Sequence, residues 1–218
     1  LRSSFERYGE VFVSLGVSFV PNFVSLYDEG VGDEGLYSEL TPPKSSGERW
    51  IGVAPFAKHK GKIYPLDRME KVVSKLSEES RVKIFLFGSG DREREILSLW
   101  RERYPGVISL ADKRYGFAVE LSLMSRLDVM ISMDSANMHL ASLVEVPVVS
   151  VWGATHPYCG FLGWRQSDSG VVELPLDCRP CSVFGNKPCY RKDYACLEIA
   201  PETIVDRVKS LETLIKEK

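Results

Sequence analysis

A chain of 218 residues, 44% hydrophobic and 27% charged, is long enough for one large core or two small ones. A net charge of −2 and a pI of about 6.0 leave no basic excess, so no nucleic-acid partner is expected. No apolar run reaches the ~18 residues of a membrane span, and no signal peptide is expected.

Phe5, Tyr8, Val11, Phe12 and Leu15 recur at helical spacing, and Gly16 offers a stop. The opening Leu1, with no strand before this helix, suggests a fragment or processed form with something larger upstream. "DEGVGDEG" and "TPPKSSGE" are loop compositions, so residues 1–48 read as a connecting helix plus linker. From Trp50 the texture changes to strands alternating with helices. "WIGVAP" is a strand, "LDRMEKVVSKLSEE" a helix, "VKIFLFG" a strand, and "DREREILSLWRERY" a helix with Asp91 as its cap. "GVISL", "FAVELSLMSRL", "DVMISM", "SANMHLASLVE" and "VPVVSVWG" continue the alternation. An insert follows over residues 154–198, then a helix at 201–217 with Pro201 in its first turn. Near-continuous apolar strands are buried on both faces, so residues 49–218 are expected to form an α/β, Rossmann-like, doubly wound parallel sheet.

Ligands of such sheets bind beyond the carboxyl ends of the strands. Every strand-to-helix junction is therefore a candidate wall. "MDSANMHLA" puts Asp134 at a strand end and Ser135 and Ala136 at a helix start, where free N–H groups and the helix dipole favour an anion. His139 lies one turn further on. Simple helix capping by Asp134 or Ser135 is the plainer reading. "APFAKHKGKIYP" brings Lys58, Lys60 and Lys62, and a lysine there suits a departing diphosphate. "FGSGDRE" offers Gly88 and Gly90 without a full dinucleotide fingerprint. "GATHP" adds Thr155 and His156 at the same edge.

Cys178, Cys181, Cys189 and Cys196 fall in "CRPCSVFGNKPCYRKDYAC", within an insert at about 176–198. A C-x-x-C followed by two more cysteines is one pattern for a structural zinc site; disulfides are the second reading, disfavoured in a cytoplasmic compartment, and reduced thiols packing a Pro-rich loop the plainest. Cys159 stands apart.

The order of these junctions resembles the C-terminal half of glycosyltransferase family 9, the ADP-heptose:lipopolysaccharide heptosyltransferases. The resemblance rests on Asp134, Ser135, Ala136, His139, Leu140 and Ala141, followed by an apolar strand and Gly153, Thr155 and Pro157. It extends from about residue 50 to the end, and "ERYGEVFVSLGV" is similar to the family's interdomain helix.

The resemblance implies the donor-binding half of a GT-B glycosyltransferase. Heptose would pass with inversion from ADP-heptose to a lipid-linked saccharide acceptor in the lipopolysaccharide core. Lys62 would carry the catalytic charge on the leaving diphosphate, and Asp134, Ser135, Ala136 and His139 would hold sugar and diphosphate. Leu110 and Ala111 would border the base. Asp91, beside Gly90, would meet the ribose, with Glu93 second. Ala54 and Pro55 stand where hydroxyl residues often touch phosphate, which leaves that contact to backbone. No metal is required, because lysine and helix ends replace it. Trp164 and Arg165 are candidates for the cleft wall. The family's N-terminal domain, with its aspartate base, is missing, so this chain alone is expected to transfer poorly. The family implies a cytoplasmic enzyme, peripheral at the inner-membrane face. The competing readings are a non-catalytic binding domain that keeps the fold, or a related enzyme using another nucleotide sugar.

Overall fold

The computed structural model describes residues 2–216. Its elements, in order, are α1 (Ser4–Ser14), β1 (Arg49–Ala54), α2 (Leu66–Ser77), β2 (Val82–Leu86), α3 (Asp91–Arg103) and β3 (Val107–Ser109). Then come α4 (Phe117–Met124), β4 (Val129–Met133), α5 (Ala136–Leu143), β5 (Val148–Trp152), β6 (Val171–Glu173) and α6 (Pro201–Lys216). Glu217, the expected last residue of the final helix, lies outside the described residues.

The six strands form one parallel sheet in the order β3-β2-β1-β4-β5-β6. The chain grows outward from β1 to β3, then returns to β1's other side with β4. That reversal is a topological switch point, where the loops after β1 and β4 diverge and leave a crevice.

Both faces of the sheet are covered, as the unbroken apolar strands require. On one face α2, α3 and α6 bury Met69, Val73, Leu97, Trp100, Ile204 and Val208 against Ile51, Ile84, Ile131 and Val149. On the other, α4 and α5 bury Leu123, Met124, Met138 and Ala141 against Trp50, Phe85, Met130 and Trp152. Alternate residues of one strand point to opposite faces, which is why Trp50 and Ile51 belong to different cores.

Three features depart from the sequence reading. β6 was not expected. It is three residues long with only Val172 buried, too short to show a pattern. Residues 27–44 pack onto the domain instead of linking: Tyr37 is fully buried against Trp50, and Gly32 N–H donates to Ser125 Oγ at 2.8 Å. The cap of α3 is Gly90, not Asp91. Gly90 has φ of 85°, a left-handed conformation that glycine adopts freely. Asp91 instead opens the helix, exposed and paired with Arg94.

α1 is closed by a capping box, with Ser3 and Glu6 exchanging hydrogen bonds. It buries no residue. It touches the domain where Ser4 N–H meets the Gly160 carbonyl at 2.8 Å and Phe5 packs edge-on to Trp164.

Candidate active site

A cleft of about 760 Å³ opens at the carboxyl edge of the sheet, over the switch point. Its floor is built from four junctions, those after β1, β2, β3 and β4.

The centre is an ion pair braced by a hydroxyl. Lys62 Nζ lies 2.8 Å from Asp134 Oδ2, and Thr155 Oγ1 donates to the same oxygen at 2.7 Å. The side chains of Lys62 and Asp134 are only 14% and 6% exposed. Each comes from a different junction: Lys62 from a 3-10 turn after β1, Asp134 from the end of β4, Thr155 from just past β5. Backbone contacts fix the aim of Lys62. The Gly61 carbonyl accepts from Ala154 N–H at 2.8 Å, Tyr64 N–H approaches Met133 Sδ at 3.4 Å, and Tyr64 Oη donates to the Ile199 carbonyl at 2.6 Å. A Cβ on Gly61 would come within 2.6 Å of Ala154 Cβ, so the loop reaches this position only with glycine.

The capping reading of "MDSANMHLA" does not hold. Ser135 occupies the N-cap of α5 without a side-chain cap bond, and its hydroxyl pairs with Ser132 Oγ at 3.2 Å. Asp134 is committed to Lys62 and Thr155. The first N–H groups of α5 are thus left uncapped by side chains, with Ala136 and Asn137 lining the cleft beside them. His139 lines it one turn further on, and burial holds its imidazole below the ordinary histidine range. The ring is therefore neutral near pH 7.

Of the residues singled out from sequence, Lys62, Gly88, Leu110, Asp134, Ser135, Ala136 and His139 all line this one cleft. Thr155 stands behind Asp134 and does not line it. Ala54 and Pro55 are buried below the floor, and Ala111 belongs to the core. Gly90 and Asp91 stay outside the wall. The acid that lines it near β2 is Glu93, whose Oε2 accepts from Ser89 N–H at 2.8 Å. Trp164 and Arg165 lie away from it; the Trp164 indole donates to the Phe23 carbonyl.

Sequence reading missed Phe56, Phe117, Glu120, Phe161 and Phe184, all on the cleft wall. Phe117 and Glu120 lie in the first turn of α4, a segment that the sequence marks only as a helix. Phe161 and Phe184 come from the insert and pack tilted against each other, their ring centres 5.6 Å apart. No local pattern in the insert marks them.

The insert is anchored by Arg179, whose side chain is 1% exposed. It donates to the carbonyls of Gly153, Leu174 and Thr155 at 2.5, 2.7 and 2.8 Å and to Glu173 Oε2 at 2.8 Å. The zinc expectation finds no support. Among the described residues no group of three or more His, Cys, Asp or Glu side chains is arranged to hold a metal ion. The thiols engage their neighbours instead: Cys181 Sγ faces the Cys178 carbonyl at 3.7 Å, and Cys189 Sγ faces Asp193 at 3.9 Å. Burial pushes the Cys196 thiol up to about 11.

Comparison with known proteins meets this geometry from outside. The profile described as glycosyltransferase family 9 (heptosyltransferase) matches residues 33–189. A lipooligosaccharide heptosyltransferase 2 of Campylobacter jejuni is 25% identical over 172 residues, covering 77% of this chain and 53% of that protein. The chain spans about half the length of the curated relatives it matches. Among solved structures, an E. coli ADP-heptose LPS heptosyltransferase II superposes with a TM-score of 0.64 at 20% identity, over 85% of this chain and 53% of that one. A family 9 glycosyl transferase from Veillonella parvula superposes with a TM-score of 0.73 at 18% identity, over 97% and 60%.

Proposed function

Because the chain belongs to glycosyltransferase family 9, the heptosyltransferase family, we propose that its cleft binds a nucleotide-sugar donor, ADP-heptose in class, for transfer of heptose to a lipopolysaccharide-core saccharide. One observation carries this reading. An ammonium held by a buried carboxylate sits beside the uncapped N-terminus of α5, at the switch point of the sheet. That is an anion site with no competing anion of its own to spare.

The chemistry follows from hydrogen-bond counting. A lysine ammonium has three donors. Asp134 takes one of the Lys62 donors, which leaves two for phosphate oxygens. As the bond from the anomeric carbon to the diphosphate oxygen breaks, negative charge gathers on the leaving ADP. Lys62 and the α5 amides are fixed in advance where that charge develops, which is the arrangement that lowers a barrier. Neutral His139 can donate one hydrogen bond to sugar or phosphate without adding charge. Glu93 is suited to the ribose hydroxyls, because its carboxylate keeps an oxygen free beyond the bond from Ser89. Thr155 acts through Asp134, not on substrate.

The acceptor's hydroxyl must lose a proton as it attacks. Asp134 is neutralised by Lys62, so we assign that base to an acceptor-side half facing this cleft. The exposed apolar residues of α1 suit a contact with such a half. Among the described residues no helix is long and apolar enough to cross a membrane. A cytoplasmic site of action, peripheral at the inner-membrane face, belongs to the same proposal.

Calorimetric titration with ADP, with UDP as control, tests the reading. ADP should bind, and Asp134→Ala or Lys62→Met should weaken it tenfold or more, about the effect of losing a hydrogen bond to a charged group. Either single change also leaves a buried charge unpaired. The double variant Lys62→Met/Asp134→Asn removes both charges, so it should melt near wild type while still failing to bind. Wild-type indifference to ADP, or undiminished binding by the double variant, would overturn the assignment.

A further inference from the structure

One side chain in the cleft has no task in the reading above. Glu120 lies in the first turn of α4, on the wall with Phe117, Leu110, Phe87 and Gly88. These residues gather at the ends of β2 and β3, the far end of the cleft from Lys62. β3 and β4 are three strand spacings apart, roughly 14 Å at about 4.8 Å per strand. That is the reach of a nucleoside diphosphate laid across the strand ends. With diphosphate at Lys62 and α5 and ribose at Glu93, the base falls between Leu110 and Phe117. Phe117 is 67% exposed, an aromatic face kept open to the cleft.

We propose that Glu120 reads the base of the donor by accepting a hydrogen bond from its exocyclic amine, so that this chain selects a 6-aminopurine. The inference rests on the nucleotide-sugar reading and adds a specificity residue to it. A carboxylate is an acceptor only. The amine of adenine gives it an exocyclic donor, where uracil carries a carbonyl oxygen that only accepts and donates solely from its ring N3–H. A plain role in complementing the dipole of α4 would suit a solvated acid. Glu120 is not solvated in that way: burial holds its carboxyl above the ordinary glutamate range, and among the described residues no hydrogen bond or charged neighbour offsets that burial. A half-buried acceptor without a partner is costly to keep, and a ligand that supplies the donor relieves the cost.

The test compares ADP with purine riboside 5′-diphosphate, which is ADP without the amino group, by calorimetry on this chain. Wild type should prefer ADP about tenfold, the scale of one lost hydrogen bond to a charged acceptor. Glu120→Ala should bring the two nucleotides within about twofold of each other, mainly by weakening ADP. Glu120→Gln keeps an acceptor oxygen and should retain part of the preference. Lys62→Met should weaken both nucleotides equally and leave the preference intact. Equal binding of the two by wild type, or an equal loss of both in Glu120→Ala, would overturn the proposal while leaving the donor site standing. Binding of neither nucleotide by wild type would remove both together.

Discussion

At the scale of single residues, His139 makes the site's electrostatics visible in stability. Its imidazole is held below the ordinary value by burial, with Lys62 adding to the effect and Asp134 opposing it. The unfolded chain takes up this proton near pH 6.5 and the folded chain only at lower pH. Stability from this group is therefore full above about pH 6.5 and is lost as pH falls through the folded value. His139→Gln should flatten the fall in urea midpoint between pH 7.5 and 5 relative to wild type. An unchanged slope would mean that the ring is solvated. The residue scale also shows where sequence suffices. Lys62 and Asp134 were readable as junction residues, but their 2.8 Å pairing is made by the tertiary fold. Asp91 and Glu93 were both candidates for one role. Glu93 shares a helix face with buried Leu97 and Trp100, four and seven residues on. That spacing points Glu93 inward and Asp91 out, and it was there to be read.

At the scale of elements, the parallel strands were legible because burial on both faces leaves an unbroken apolar run. β6 and the packing of residues 27–44 were not, since each depends on contacts distant in sequence. The insert shows this most clearly. Its anchor, Arg179, is a single buried guanidinium tied to the four carbonyls of Gly153, Leu174, Thr155 and Trp152 and to Glu173. Arg179→Met leaves those carbonyls and Glu173 without their donor and should cost about 3 kcal/mol or more. It should also open residues 182–194 to protease before the sheet unfolds. Co-operative loss of the whole domain, with no early cleavage in the insert, would mean that the anchor is part of the core and not a local clasp.

At the scale of the whole molecule, the sheet gathers an ion pair and a supporting hydroxyl from three separate junctions onto one edge, and no metal ligand set accompanies them among the described residues. If Lys62 and the α5 amides carry the diphosphate unaided, a chelator should leave ADP affinity unchanged. The thermal midpoint should rise on adding ADP, by the equivalent of about 2.7 kcal/mol at a hundredfold excess over Kd, and equally with or without chelator. Abolition of that rise by chelator would place a cation in the site.

The insert also reaches into the site itself. A side chain added at Gly185 would come within 2.7 Å of Lys62 Cε and 3.0 Å of Thr155 Cγ2, so the bare backbone of a peripheral loop forms the roof over the buried ammonium. The loop lies outside the six strands and their covering helices, yet the ammonium's solvent access depends on it. A change confined to this one segment would then alter how dry that charge is kept without rebuilding the frame that supplies it.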